Sequence, residues 1–195
     1  MMRNAKPSVK ENRMNAILDA ATELLVEKPT ASLNEIAGHA GIGIATLHRY
    51  IENRDQLMLK LGLRAVDVVK ETMRAVPRDE SALERYIPDL IEALIPLGDK
   101  IYFLAHDTSL NYSKELAEAE EVLKEPVRQT IKELQQQGYF RSDMATEWIL
   151  NVLYWLLFVT WQQVQDGHVA RKAAAPLVVD TLFNGVKASN APLNK

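Results

Sequence analysis

The sequence predicts an all-α protein. A small amino-terminal unit of three helices, containing a helix-turn-helix, is joined by a long helix to a larger helical region. Three observations predict it. Apolar residues recur at three- and four-residue spacing along most of the 195 residues, with only eight glycines and eight prolines among them. Residues 32–51, SLNEIAGHAGIGIATLHRYI, read as two short helices about a glycine turn. From Asn53 a stripe of Leu57, Leu61, Ala65, Val68, Val69 and Met73 runs on to about Val76.

The first helix opens at Ser8, whose spacing to Glu11 makes a capping box, and Pro29 ends it. Met14, Ile17, Ala20, Ala21, Leu24 and Leu25 form its apolar face. Ser32 and Glu35 make a second capping box. Leu33, Ile36, Ala37 and Ala40 repeat at helical spacing behind it, and Gly41 stands where the chain reverses, since glycine takes positive φ without a Cβ clash. Ala37 is small where two helices cross, and Ile42, Leu47, Tyr50 and Ile51 supply apolar anchors after the turn. Any hairpin of two helices needs a small residue, a glycine and apolar anchors. The same pattern also describes a helix-turn-helix, whose second helix enters the DNA major groove. The flanking sequence separates the two readings.

R-x-x-IL-x-AA-x-x-LL-x-E, followed by IA-x-x-AG-I-x-x-x-TL-x-RYI-x-x-R-x-x-L, spans Arg13 to about Leu57. It resembles the amino-terminal domain of the TetR family of transcriptional regulators. The resemblance implies a DNA-binding regulator, by the family's habit a repressor, that works as a homodimer and is released from DNA by a small molecule. GYFRSD and the late LFNG are loosely similar to the family as well. Gly43, His48 and Ile51 stand where the family usually has Ser or Thr, Tyr and Phe, and a proline at 29 where it commonly has glycine.

With Leu47 at the centre of the buried face, 100° per residue turns Ala45 and Arg49 outward, flanked by Thr46, His48 and Glu52. Arg49 is the base-reading candidate, because a guanidinium can bond guanine O6 and N7 together. Ile44 and Ala45 suit thymine methyls. His48 takes the place of a tyrosine that contacts phosphate in many family members. Arg54, at the start of the long helix, is a phosphate-contact candidate. Ser32, Ile44, Ala45, Thr46, His48, Arg49, Tyr50 and Arg54 make up the predicted DNA-contact set. Residues 1–13 carry a net charge of +3, from Arg3, Lys6, Lys10 and Arg13 against Glu11, which suits a phosphate-seeking arm. The total of −3 is uninformative by itself.

Residues 1–55 are read as the arm and DNA-binding domain, and 56–195 as a ligand-binding and dimerisation domain. VPRDES, residues 76–81, marks the boundary after the long helix, with Ser81 and Glu84 capping the next. That helix, 81–97, carries Pro88 and Pro96, and Gly98 breaks before a helix near 99–110. Helices are expected at 114–136 with Pro126 inside, at about 143–166, and from about Ala174 to Lys187.

WILNVLYWLLFVTW is apolar nearly all round a helix, so it needs cover on more than one side. A second subunit supplies that cover economically, through a four-helix contact of the last two helices from each chain. A dimer would present two recognition helices to the half-sites of a palindrome. Tyr102, Phe103, His106, Trp155, Phe158 and Trp161, with Tyr86 and Tyr112, are the candidate lining of an effector cavity, the effector being small and apolar or aromatic. The same stripe would equally serve as solid core.

No cysteine is present, which excludes disulfides and thiolate chemistry. Glu35 and His39 stand one turn apart and His106 adjoins Asp107, yet no HExxH, Gly-rich phosphate loop or GxSxG elbow occurs. No enzyme activity, metal or cofactor is expected. The amino terminus has no apolar signal segment, and the apolar run is too short for a bilayer, so a cytoplasmic protein without a membrane partner is expected. The alternative is a helical small-molecule-binding or interaction protein without DNA activity, in which Arg49 would be dispensable.

Overall fold

A computed structural model describes residues 8–101, Leu104, Leu110 and residues 113–186 of the chain. The helices among them pack into two apolar cores. The helices are α1 (Val9–Glu27), α2 (Leu33–His39), α3 (Ile44–His48), α4 (Arg54–Ala75), α5 (Tyr86–Leu94), α6 (Gly98–Ile101), α7 (Lys114–Gln136), α8 (Thr146–Gln165) and α9 (Arg171–Val186). Single 3₁₀ turns, Leu83–Arg85 and Ile95–Leu97, flank α5.

Three helix starts obey their capping residues. Ser8 accepts from the Glu11 amide while the Glu11 carboxylate accepts from the Ser8 amide, and Ser32 and Glu35 repeat the arrangement. The Asn53 side chain accepts from the amide of Gln56 to open α4. Each satisfies donors that the helix leaves orphaned, which stabilises by about 1 kcal/mol per cap. Gly41 reverses the chain at φ +65.

Four local readings are corrected. Ser81 does not cap the next helix: its amide and hydroxyl both bond the Asp79 carboxylate, and the helix starts at Leu83 behind an uncapped Ala82. An acceptor two residues back competes successfully with a cap. Gly98 is the first residue of α6 rather than a break before it. The recognition helix is one short turn and ends at His48, with Arg49 at its C-cap, instead of running to Ile51. The last helix starts at Arg171, three residues before Ala174, with Pro176 inside it.

α1, α2, α3 and the first half of α4 enclose one core, in which Ile17, Leu25, Ile36, Ala37, Leu47 and Leu57 are buried. The second core lies among the rest of α4, α5, α7, α8 and α9, centred on Ile87, Ile91, Val127, Ile131, Leu153 and Leu157. α4 belongs to both: Leu57, Met58 and Leu61 lie in the first, Met73 in the second. Leu104 and Leu110 also pack on the first core, and Ile101 on the second. Arg128 of α7 joins α8 by bonding Glu147, together with Glu121 and Glu125 on its own helix. That ion pair holds the Glu147 carboxyl below its ordinary pKa.

Candidate nucleic-acid interface

The reading surface is built from the inside outward. Leu47 and Ile51 are completely buried against α2 and α4, which fixes the rotation of α3 about its axis. That rotation leaves Ala45, His48 and Arg49 exposed on one side. Arg49 has no hydrogen-bond or ion-pair partner among the described residues. A guanidinium held out on a buried frame, with all its donors unused, is equipped to meet phosphate or a base edge. The His48 ring Nδ1 lies 3.2 Å from the Glu52 carbonyl oxygen, so Nδ1–H donates there and Nε2 points free.

The remaining predicted contacts are placed differently from one another. Thr46 is half-buried, and Ile44 and Tyr50 are half-buried against the small core. The Ser32 hydroxyl is engaged in its capping box with Glu35. Arg54 turns back into the protein: Nη1 donates to the Ala31 carbonyl at 2.6 Å and Nη2 to the Pro29 carbonyl at 2.8 Å. It ties the α1–α2 connection to the start of α4. Lys10 and Arg13 are exposed along α1, while Arg3 and Lys6 lie outside the described residues.

The capping carboxylate carries a pH signature. Glu35 is held at about 2 against an ordinary 4.5, first by the hydrogen bond from Lys28 and then by the amide and hydroxyl of Ser32. A lowered carboxyl stabilises the folded chain above its ordinary pKa, and the contribution is lost as pH falls from 4.5 toward 2. Glu35→Gln is expected to flatten the acid limb of a melting-temperature profile across that window and nowhere above it.

In the larger unit, Trp161 is buried, Phe158 half-buried and Trp155 72% exposed. The rings of Phe158 and Trp161 meet edge-on at 5.1 Å, and Trp155 lies 6.1 Å from Phe158. A cavity of about 180 Å³ adjoins Trp161, with Ile95, Pro96, Gly98 and Val164 around it. Tyr102, Phe103, His106 and Tyr112 lie outside the described residues. A larger groove of about 520 Å³ runs between α4 and α7, and of the candidate aromatic residues Tyr86 lines it. Lys70, Met73 and Arg74 on α4 face it, and the i, i+4 spacing of the two cations hinted at a shared side in the sequence. Glu35 and His39 turn to different partners, His39 Nε2 lying 3.3 Å from Glu23. No helix among the described residues is long and apolar enough to cross a membrane.

Residues 17–61 match the family model for bacterial regulatory proteins of the tetR family, the segment that forms this small core and its outward helix. That segment is similar to the amino-terminal domain of the family. The chain is 25% identical over 177 residues to the HTH-type transcriptional repressor LfrR of Mycolicibacterium smegmatis, covering 91% of this chain and 92% of that one. It is 24% identical over 171 residues to the HTH-type transcriptional regulator NfxB of Pseudomonas aeruginosa, covering 87% and 91%. Its fold is similar to the structure of LfrR from Mycobacterium smegmatis in complex with proflavine, at a TM-score of 0.77 and 23% identity, covering 92% of this chain and 98% of that one. The chain therefore has the helical fold of TetR-like transcriptional regulators, with a tetR-type helix-turn-helix segment at residues 17–61.

Proposed function

We propose that this regulator is a homodimeric repressor that grips a palindromic operator through two copies of α3 and releases it when a small apolar or aromatic effector binds the larger unit. The carrying observation is the Arg49 guanidinium, without a partner among the described residues and presented outward on a helix whose inner side is fully buried. Ala45 and His48 share its surface and extend the contact. Arg54 acts in this reading from behind, by holding the chain ahead of α2 in place.

Exposed apolar residues on the last two helices support the dimer. Trp148, Trp155 and Val159 stand on the outer side of α8 and Leu177 on α9, where a second copy would cover them. Trp155 thus serves the subunit contact in this reading, and Trp161, with Phe158 packed edge-on against it, the effector cavity. The similar LfrR, a repressor with a structure holding proflavine, supports both repression and an aromatic effector. An effector that binds one dimer geometry better shifts the population toward it, and DNA affinity falls by the same coupling.

Selection of bound duplexes from a random pool is expected to return an inverted repeat. On that operator Arg49→Ala is expected to weaken binding by about 1–3 kcal/mol, roughly 5- to 150-fold, and to relax the preference at one base pair per half-site. Fluorescence anisotropy over a salt series measures both, and unchanged affinity would remove the basis of the reading. Trp155→Asp is expected to convert the two-chain species to single chains at micromolar concentration, read by light scattering, with helical content kept.

A further inference from the structure

We propose that the groove between the second half of α4 and the first half of α7 binds an amphipathic carboxylate, an apolar chain or ring system bearing one anionic end. The groove holds about 520 Å³, within the size range of small-molecule sites. Its floor is apolar, with Met73 and Leu123 buried beneath it and Val76 and Pro126 beside them. Val122 forms part of the α7 wall and is 64% exposed, an apolar surface left open toward the trough.

The α4 wall is cationic. Lys70 and Arg74 stand one helical turn apart on the same side. Lys70 has no hydrogen-bond or ion-pair partner among the described residues. Among the described residues Arg74 pairs only with Glu71, an exposed pair whose members are readily exchanged. Arg78, also on the lining, is already committed to Glu80 and Glu133. Asp67 is the single acid in the lining and lies a turn before Lys70.

An occupant must therefore be apolar along one side and negative at one end. A carboxylate next to Lys70 and Arg74 gains charge-assisted hydrogen bonds, whereas a neutral molecule leaves Lys70 without a partner. A cationic one meets two like charges for the sake of Asp67. The site is separate from the Trp161 cavity. It deepens the effector reading above, on which only its effect on DNA depends: Met73 and Lys70 sit on the same helix that carries Leu57 and Leu61 into the reading unit.

Three probes of one chain length separate the possibilities: dodecanoate, dodecanol and dodecyltrimethylammonium, titrated calorimetrically into the full-length protein without DNA. Dodecanoate is expected to bind about tenfold or more tightly than either other probe. Lys70→Glu with Arg74→Glu is expected to reverse the order of the two charged probes, and Val122→Arg, a change at an exposed position, to block the trough for the alcohol as well. Equal affinities for all three probes, or a dodecanoate affinity indifferent to the Lys70 and Arg74 changes, would overturn the proposal. Operator binding by ligand-free protein is scored separately. Its presence alongside a failed titration leaves the regulator reading standing, and its absence sinks that reading without altering the titration.

Discussion

Leu47→Ala is expected to melt the DNA-reading unit at temperatures where the larger unit stays folded. Leu47 is completely buried, as are Ile36, Ile51 and Leu57 in the same core. Deleting a buried leucine side chain costs about 2–5 kcal/mol, through lost transfer energy and the cavity left behind. Whole domains are stable by only about 5–15 kcal/mol, and this core is the smaller of two. Circular dichroism should show a new early transition, and operator affinity should vanish with it. The contrast with Arg49→Ala separates frame from contact: that change is expected to leave the melting curve unaltered while weakening DNA binding.

Gly98→Ala should be unexpectedly costly for a substitution that normally favours helix. A Cβ built at Gly98 would lie 2.0 Å from Cδ1 and 2.4 Å from Cγ of Trp161. The indole has little freedom to withdraw, because Nε1–H donates to the Ile95 carbonyl at 3.0 Å and Phe158 abuts the ring. Overpacking of this kind costs about 1–3 kcal/mol, and a broken indole hydrogen bond adds about 1. Removing the obstacle tests the cause. In a Trp161→Leu background the same Gly98→Ala change is expected to lose most of its cost, a coupling that urea denaturation of the four variants measures directly. An additive cycle would place the penalty elsewhere.

These cases show where the sequence was informative. The starts of α1, α2 and α4 were legible because a cap is decided within four residues, and Gly41 because its backbone angle is a local demand. The span of α7 was legible too, since the expected 114–136 is the helix Lys114–Gln136 with Pro126 inside it. The outward side of α3 could be derived from Leu47 alone.

What stayed hidden depends on partners far along the chain. Nothing near Gly98 announces Trp161, and nothing near Arg54 announces the carbonyls of Pro29 and Ala31. The α8 run is apolar nearly all round, so periodicity could not tell buried Trp161 from exposed Trp155. The groove is a property of two helices meeting, and neither stripe alone outlines it. Ser81 departs from the expected cap because two local acceptors compete for one turn, and Asp79 is the nearer in sequence.

One helix connects both cores without interruption across its 22 residues. At 1.5 Å per residue that is about 33 Å of stiff lever, fixed by Met73 at one end and by Leu57 and Leu61 at the other. Rocking it by about 7° about Met73 would carry the far end sideways by about 3.4 Å, one base-pair step of duplex. On the operator reading proposed above, packing changes too small to disturb the larger core would thereby be geared up to the scale of a base-pair step.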